Sequence, residues 1–302
     1  MTYDEIWHRL AAVSDTGEAK AMARMLVEEK FGMSYADIVC GGVERLSADD
    51  ELWLEKSIVR LERSEPIQYV LGEAWFCGRK FSVRPGVLIP RPETEWLVER
   101  VVSAVRCQKC CDAIPSDGPL HILDIGTGSG CIAVSLKLSL PEAGVEAWDI
   151  SPEALNVASA NAGRLGAAVA FRCQDILSVN PNVERKWNII VSNPPYVCDS
   201  ERESMDRNVV DYEPPTALFV PDSDPLVFYR AITRYAAASL CDGGSLLFEC
   251  NTRYAADTAA MMRAAGFVHV EVVDDCFGMP RFAVAEKGSA KLLCGTVRNR
   301  VV

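Results

Sequence analysis

Residues 121–136 limit the possible folds more than any other stretch of this chain. His121-Ile122-Leu123-Asp124-Ile125 is a short apolar run of strand character, and Gly126-Thr127-Gly128-Ser129-Gly130 is a glycine-rich turn. Cys131-Ile132-Ala133-Val134-Ser135-Leu136 then reads as an apolar helix. Glycines permit the tight turn and let a ligand approach the backbone closely, while the helix N-terminus presents unpaired N–H groups. From about residue 93 onward, helices and apolar strands alternate. Alternation of that kind predicts an α/β chain with a mainly parallel sheet, helices on both faces and right-handed crossovers. Near the end, residues 245–249, 268–273 and 282–285 are three strand candidates with one helix, residues 253–265, among them. The last two are expected to pair antiparallel.

The turn reads G-x-G-x-G rather than G-x-G-x-x-G, since position 131 is Cys. That departure argues against a dinucleotide pyrophosphate and suits a ligand without phosphates, such as S-adenosylmethionine. Asp149 closes the next apolar run about 20 residues later, where a carboxylate can take both hydroxyls of a ribose. Asp175 closes a third run, residues 169–173, and is placed to meet an adenine amino group, with Ile176 beside it. The cofactor-binding set is therefore Asp124, Gly126, Thr127, Gly128, Ser129, Gly130, Asp149, Asp175, Ile176 and Asn193.

Asn193-Pro194-Pro195-Tyr196 ends the apolar run Trp187-Asn188-Ile189-Ile190-Val191. Two prolines cannot continue a β-ladder, because each fixes φ and lacks an N–H. The carbonyls there are left to accept hydrogen bonds from something else. Asn193 Oδ1 and the Pro194 carbonyl can bind both hydrogens of a planar amino or amide group, and Tyr196 offers a ring to pack on it. The same tetrapeptide is also ordinary loop punctuation. Glycine turn, ribose acid, adenine acid and Asn-Pro-Pro-Tyr in that order point to an S-adenosylmethionine-dependent N-methyltransferase with S-adenosylhomocysteine as product. Asn193, Pro194 and Tyr196 are the expected catalytic groups, and these three with Pro195 form the expected substrate site.

Further segments carry a family resemblance. Pro66-Ile67-Gln68-Tyr69-Val70-Leu71-Gly72, Val87-Leu88-Ile89-Pro90-Arg91-Pro92-Glu93-Thr94-Glu95, residues 124–130, residues 193–196, Glu213-Pro214 and Asp275-x-x-Gly278-x-x-Arg281 follow one another. In that succession they resemble the release factor glutamine methyltransferases, which methylate the side-chain amide nitrogen (N5) of the Gln in the Gly-Gly-Gln motif of class-I peptide chain release factors. The resemblance implies a Rossmann-like methyltransferase sheet at 93–302, mostly parallel with an antiparallel last strand. Apolar positions at helical spacing, broken at Gly32 and Gly41-Gly42, predict a small N-terminal helical bundle at 1–72, and the aromatic and β-branched residues around Gly78 predict a β-hairpin linker at 73–92. The resemblance implies that the bundle helps to grip the release factor. It further implies that the Pro90–Glu95 stretch covers cofactor and substrate glutamine, although the acids there also suit the first turn of a helix. Asp124 has two readings, a carboxylate capping the glycine turn and an acceptor for the cofactor's ammonium. The chain departs from the family at Pro221-Asp222-Ser223-Asp224-Pro225-Leu226, where glycines before Leu are usual, and at Glu249-Cys250-Asn251, where Glu-Ile-Gly is usual. Both departures are expected to lie clear of the chemistry.

Charge narrows the partner class. A net charge of -11 over 302 residues, with no dense basic run, argues against a strong nonspecific grip on nucleic acid. A protein substrate fits better than adenine N6 or a guanine amino group, the main alternative, and the intact motifs argue against a non-catalytic adaptor. No apolar run approaches the roughly 20 residues that span a bilayer. The acidic start Met1-Thr2-Tyr3-Asp4-Glu5 lacks a signal core, and the 12 cysteines are scattered, so a reduced, cytoplasmic monomer is expected. Cys107, Cys110 and Cys111 have half a zinc-ribbon spacing but no second pair, so no metal is expected. No general base sits in the motif, and His8, His121 and His269 fall outside it. Catalysis is therefore expected to work by positioning.

Overall fold

The computed structural model describes residues 1–107, 119–180 and 187–288, and forms two compact units. Cys110, Cys111 and the loop at 115–118 lie outside the described residues. The first unit comprises Met1–Ala74, Val83–Pro85 and Ser204–Glu213. Its helices Tyr3–Leu10, Thr16–Phe31 and Ala48–Glu62 start where the sequence offers side-chain caps. Thr2 and Glu5 form a reciprocal capping box, and Asp15 and Ser47 cap the other two. Gly32 ends the second helix in the left-handed region at φ 66°, which spares the Cβ strain another residue would carry. Ile6, Leu10, Leu26, Leu54 and Ile58 are fully buried against one another, so the bundle has a core of its own. Arg9 clamps it from outside, reaching Glu55 at 2.7 Å and Glu62 at 2.8 Å. Two short helices, Tyr35–Val39 and Ile67–Leu71, complete it.

The second unit comprises Trp75–Ser82, Gly86–Glu203 and Pro214–Val302. The strands, in chain order, are β1 (Glu73–Phe76), β2 (Arg79–Ser82), β3 (His121–Ile125), β4 (Gly144–Asp149), β5 (Val169–Cys173), β6 (Trp187–Ser192), β7 (Val197–Cys198), β8 (Phe219–Val220), β9 (Leu240–Glu249), β10 (Phe267–Asp274) and β11 (Pro280–Lys287). β1 and β2 form the expected hairpin, and Cys77 and Gly78 both take positive φ at its tip, as a tight hairpin turn demands. The central sheet has seven strands in the order β10-β11-β9-β6-β3-β4-β5. β3, β4, β5, β6 and β9 run parallel, and β11 is antiparallel to both β9 and β10.

β9 begins five residues before the expected strand. Leu240 pairs with Trp187, but the register then jumps to Ser245 opposite Ile189, so Cys241–Gly244 bulge out where Gly243 takes φ 75°. The Asp242-Gly243-Gly244 sequence reads as a turn, and the structure absorbs it as a β-bulge within one strand.

Chain order reverses at β3, which has β4 on one side and β6 on the other. Open α/β sheets bind ligands outside the carboxyl ends of the strands at such a switch point. The register sets Ile125 opposite Ser192, so the glycine turn after β3 and Asn193 after β6 emerge side by side. Ser192 Oγ donates to the Ile125 carbonyl at 2.6 Å and ties the two tips together.

Candidate active site

A cavity of about 410 Å³ opens at these strand ends. That volume lies in the range of small-molecule sites, about 300–1,000 Å³. Of the residues singled out from the sequence, Gly126, Thr127, Gly128, Ser129 and Asp149 line it on one side. Asp175, Ile176, Asn193, Pro194 and Pro195 line it as well. Asp124, Gly130 and Tyr196 stand behind it and do not line it. Among the described residues no histidine reaches it either.

The glycine turn is held from below. The amides of Gly126 and Thr127 both donate to the Trp148 carbonyl at 2.9 Å, which fastens the turn to the end of β4. Asp149 Oδ2 accepts from the Gly128 amide and Oδ1 from the Ser151 amide, each at 2.9 Å. Burial raises the Asp149 pKa, and these backbone donors oppose the rise. Each oxygen keeps a further lone pair, so both remain able to accept from a ligand hydroxyl. Asp175 Oδ1 accepts from the Leu177 amide at 2.8 Å, which turns the chain under the cavity.

Asp124 is fully buried. Its Oδ2 accepts from Thr127 Oγ1 at 2.6 Å and from the Ala133 amide at 3.2 Å, so it caps the glycine turn and the following helix. Oδ1 has no partner. Burial dominates and pushes its pKa up to about 7 from an ordinary value of 3.8. The folded state thus holds this proton longer than the unfolded chain does. The stability it contributes is full below pH 3.8 and is lost as pH rises to about 7. Asp124→Asn should flatten that part of a denaturation-versus-pH curve, and an unchanged slope between those values would show that the carboxyl is not desolvated as described.

Asn193 and Pro194 present free acceptors. Asn193 Nδ2 donates to Thr94 Oγ1 at 3.2 Å, whereas no described residue donates to Oδ1 or to the Pro194 carbonyl. Past the prolines, the Tyr196 amide donates to the Leu218 carbonyl at 3.2 Å, where β7 begins to pair with β8. The Tyr196 hydroxyl donates to Glu249 Oε1 at 3.0 Å. Burial and the neighbouring Glu249 raise its pKa well above the tyrosine norm, so it stays a phenol.

The Pro90–Glu95 stretch divides. Pro90, Arg91 and Thr94 line the cavity, but Glu93 and Glu95 do not. Glu95 begins the helix Glu95–Cys107 and accepts from the Cys77 amide at 2.8 Å.

Sequence reading missed cavity-lining residues such as Gln174 and Phe228, and it missed two residues that brace the Asn-Pro-Pro-Tyr turn. Glu249, at 2 % exposure, accepts from Thr94 and Tyr196. Asn251, expected to lie clear of the chemistry, donates to the Tyr196 carbonyl at 3.2 Å and to Glu201 at 2.9 Å. That expectation is corrected: the β9 end lies beside the β6 end, so the segment after Phe248 braces Tyr196. An acid closing the apolar run Leu246-Leu247-Phe248 was the available signal, as it was for Asp149.

Family models match two parts of the chain. The methyltransferase small domain matches residues 111–212, and the PrmC N-terminal domain matches residues 4–72. A release factor glutamine methyltransferase of Bacteroides thetaiotaomicron is 45% identical over 270 residues, 89% of this chain and 93% of that protein. One from Flavobacterium psychrophilum is 38% identical over 90% of this chain and 93% of that protein. Among solved structures, a methyltransferase from Pyrococcus furiosus has a TM-score of 0.49 at 16% identity, covering 76% of this chain and 98% of that one.

Proposed function

This chain belongs to the release factor glutamine methyltransferase family, and from that membership we propose that it methylates the Gly-Gly-Gln glutamine of a class-I peptide chain release factor. The methyl comes from S-adenosylmethionine, it goes to N5 of the glutamine side chain, and S-adenosylhomocysteine is left. One observation carries the reading: Asn193 Oδ1 and the Pro194 carbonyl, two acceptors with no donor among the described residues, stand at a cavity wall shared with the glycine turn.

The cavity suits the cofactor's chemistry. Gly128 has φ 55°, and a Cβ built there meets no atom within 4 Å, so the turn leaves room for a ligand against its backbone. Asp149 offers acceptors for ribose hydroxyls and Asp175 one for an adenine amino group, while Ile176 and Ile150 supply apolar wall. When bound, the cofactor supplies an electrophilic methyl group on positively charged sulfur. Everything else falls to the chain's own residues. An amide nitrogen is a poor nucleophile because its lone pair is delocalised into the carbonyl. Accepting both N–H hydrogens, at Asn193 Oδ1 and Pro194 O, returns electron density to nitrogen and fixes its direction. With the cofactor bound, methyl transfer to nitrogen would be matched by its loss from sulfur, and the proton that the amide sheds would pass to solvent. Oriented proximity supplies about 7–11 kcal/mol in favourable cases, so no strong base is required.

Protein rather than nucleic acid as substrate is supported by the net charge of -11. The match of residues 4–72 to the PrmC N-terminal domain supports assigning release-factor recognition to the helical unit. A monomer acting in the cytoplasm completes the proposal. No helix among the described residues is long and apolar enough to cross a membrane.

Purified protein should transfer labelled methyl to a release factor, and mass spectrometry should place one added methyl on the loop glutamine. Gln→Ala in that loop should abolish the signal. Label retained by the Ala variant, or carried into nuclease-sensitive material, would reject the reading.

A further inference from the structure

Glu249 ends β9 one residue past the Ser192–Phe248 pair, so the β6–β9 register delivers a buried carboxylate beside Asn193. Thr94 Oγ1 lies 2.6 Å from Glu249 Oε2, and the Tyr196 hydroxyl lies 3.0 Å from Oε1. The groups facing this carboxylate are Thr94 and Tyr196 by hydrogen bond, with Arg281 and Glu93 acting through charge. Arg281 itself is paired with Asp275 at 3.2 Å.

Proton directions follow from counting donors. Both hydroxyls donate to Glu249, Thr94 at 2.6 Å and Tyr196 at 3.0 Å; burial raises the Glu249 pKa, and these two donors oppose that rise in favour of the carboxylate. A carboxylate only accepts, so Thr94 and Tyr196 each give it their single proton. Thr94 Oγ1, its proton committed, can then only accept from Asn193. The amide must therefore turn its NH2 toward Thr94, where Nδ2 is found at 3.2 Å. That orientation leaves Oδ1 as the end without a partner among the described residues.

We infer that Glu249 and Thr94 are positioning residues that lock the Asn193 amide with its oxygen, not its nitrogen, toward the substrate NH2. A reversed amide would set N–H against N–H and hold the nucleophile away. Glu249 fixes the polarity of the Thr94 hydroxyl, and Thr94 passes that polarity to Asn193. The same carboxylate anchors Tyr196, so both ends of the Asn-Pro-Pro-Tyr turn are fixed from one buried group. This inference rests on the methyl-transfer reading above.

The test uses the full chain, a release factor and labelled S-adenosylmethionine, with kcat, KM, cofactor Kd and Tm measured for each variant. Thr94→Val, close in shape but without a hydroxyl, should lower kcat by about 10- to 100-fold, the effect of a misaimed reacting group. KM and cofactor Kd should stay near wild type, and Thr94→Ser should restore most of the rate. Glu249→Gln should lower kcat similarly. Introduced into Asn193→Ala, Thr94→Val should add no further loss, because it acts through that amide, whereas Glu249→Gln should add only what its bond to Tyr196 contributes. Wild-type kcat in Thr94→Val, or a Thr94→Val loss that multiplies with that of Asn193→Ala, would overturn the relay. Thr94→Val guards against a Glu249→Gln protein that fails to fold. If wild-type protein methylates no release factor at all, the functional reading fails instead, so the two failures are distinguishable.

Discussion

Asn193→Ala is expected to lower kcat for release factor methylation by about 100- to 1,000-fold, the loss typical of removing one preorganised polar group from a reacting centre. Cofactor Kd should change little, because the glycine turn and Asp149 are fastened to β4 rather than to Asn193. The split between turnover and binding is the informative part. Side-chain Oδ1 is the only acceptor the substitution deletes, while the Pro194 carbonyl stays in place as a backbone group. Asn193→Asp tests the same point from the other side, since its carboxylate still accepts but cannot donate to Thr94. Turnover of Asn193→Ala equal to wild type, measured with labelled cofactor, would remove Asn193 from the mechanism.

Gly130→Ala should have the largest effect on the fold itself. Gly130 sits at φ 82°, and a Cβ there would lie 3.0 Å from Ala158 Cβ and 3.1 Å from Ala158 Cα. Left-handed backbone costs an L-residue about 1–2 kcal/mol, and overpacking against an atom that cannot rotate away adds about 1–3 kcal/mol. Ala158 lies in the helix Pro152–Leu165, which is also held by buried Asn161, whose Nδ2 donates to the Ser129 and Ser82 carbonyls. The helix therefore cannot retreat without breaking those bonds. A clear drop in Tm with weakened cofactor binding is expected. By contrast, Gly128→Ala meets no neighbouring atom and should cost the backbone term alone. Equal Tm values for the two variants would show that close packing against Ala158 is not what requires glycine at 130.

Much of the cavity wall was legible from sequence because its parts are local. A glycine turn after an apolar strand, an acid closing the next strand and a double proline closing another each announce themselves within a few residues. The parallel sheet followed from alternation, and the antiparallel β10–β11 pair from two strand runs with no helix between them. What local reading could not supply was depth. Asp124 and Asp149 look alike as acids beside a glycine turn, yet Asp149 faces the cavity and Asp124 is buried behind it. Asp242-Gly243-Gly244 looks like the end of an element, but strand pairing on both sides carries β9 through it.

Sequence by itself determined which elements form and which residues stand at their ends, since caps, glycines, prolines and apolar periodicity act over a turn or two of chain. Only the tertiary structure decided that Thr94, Asn193, Tyr196 and Glu249 form one hydrogen-bonded group. Thr94 and Glu249 are 155 residues apart in the chain, and they meet because β9, past its bulge, pairs with β6 from Ser245 to Phe248 and so ends beside Asn193. That register is set by the packing of whole strands in the sheet, and no short stretch of the chain encodes it.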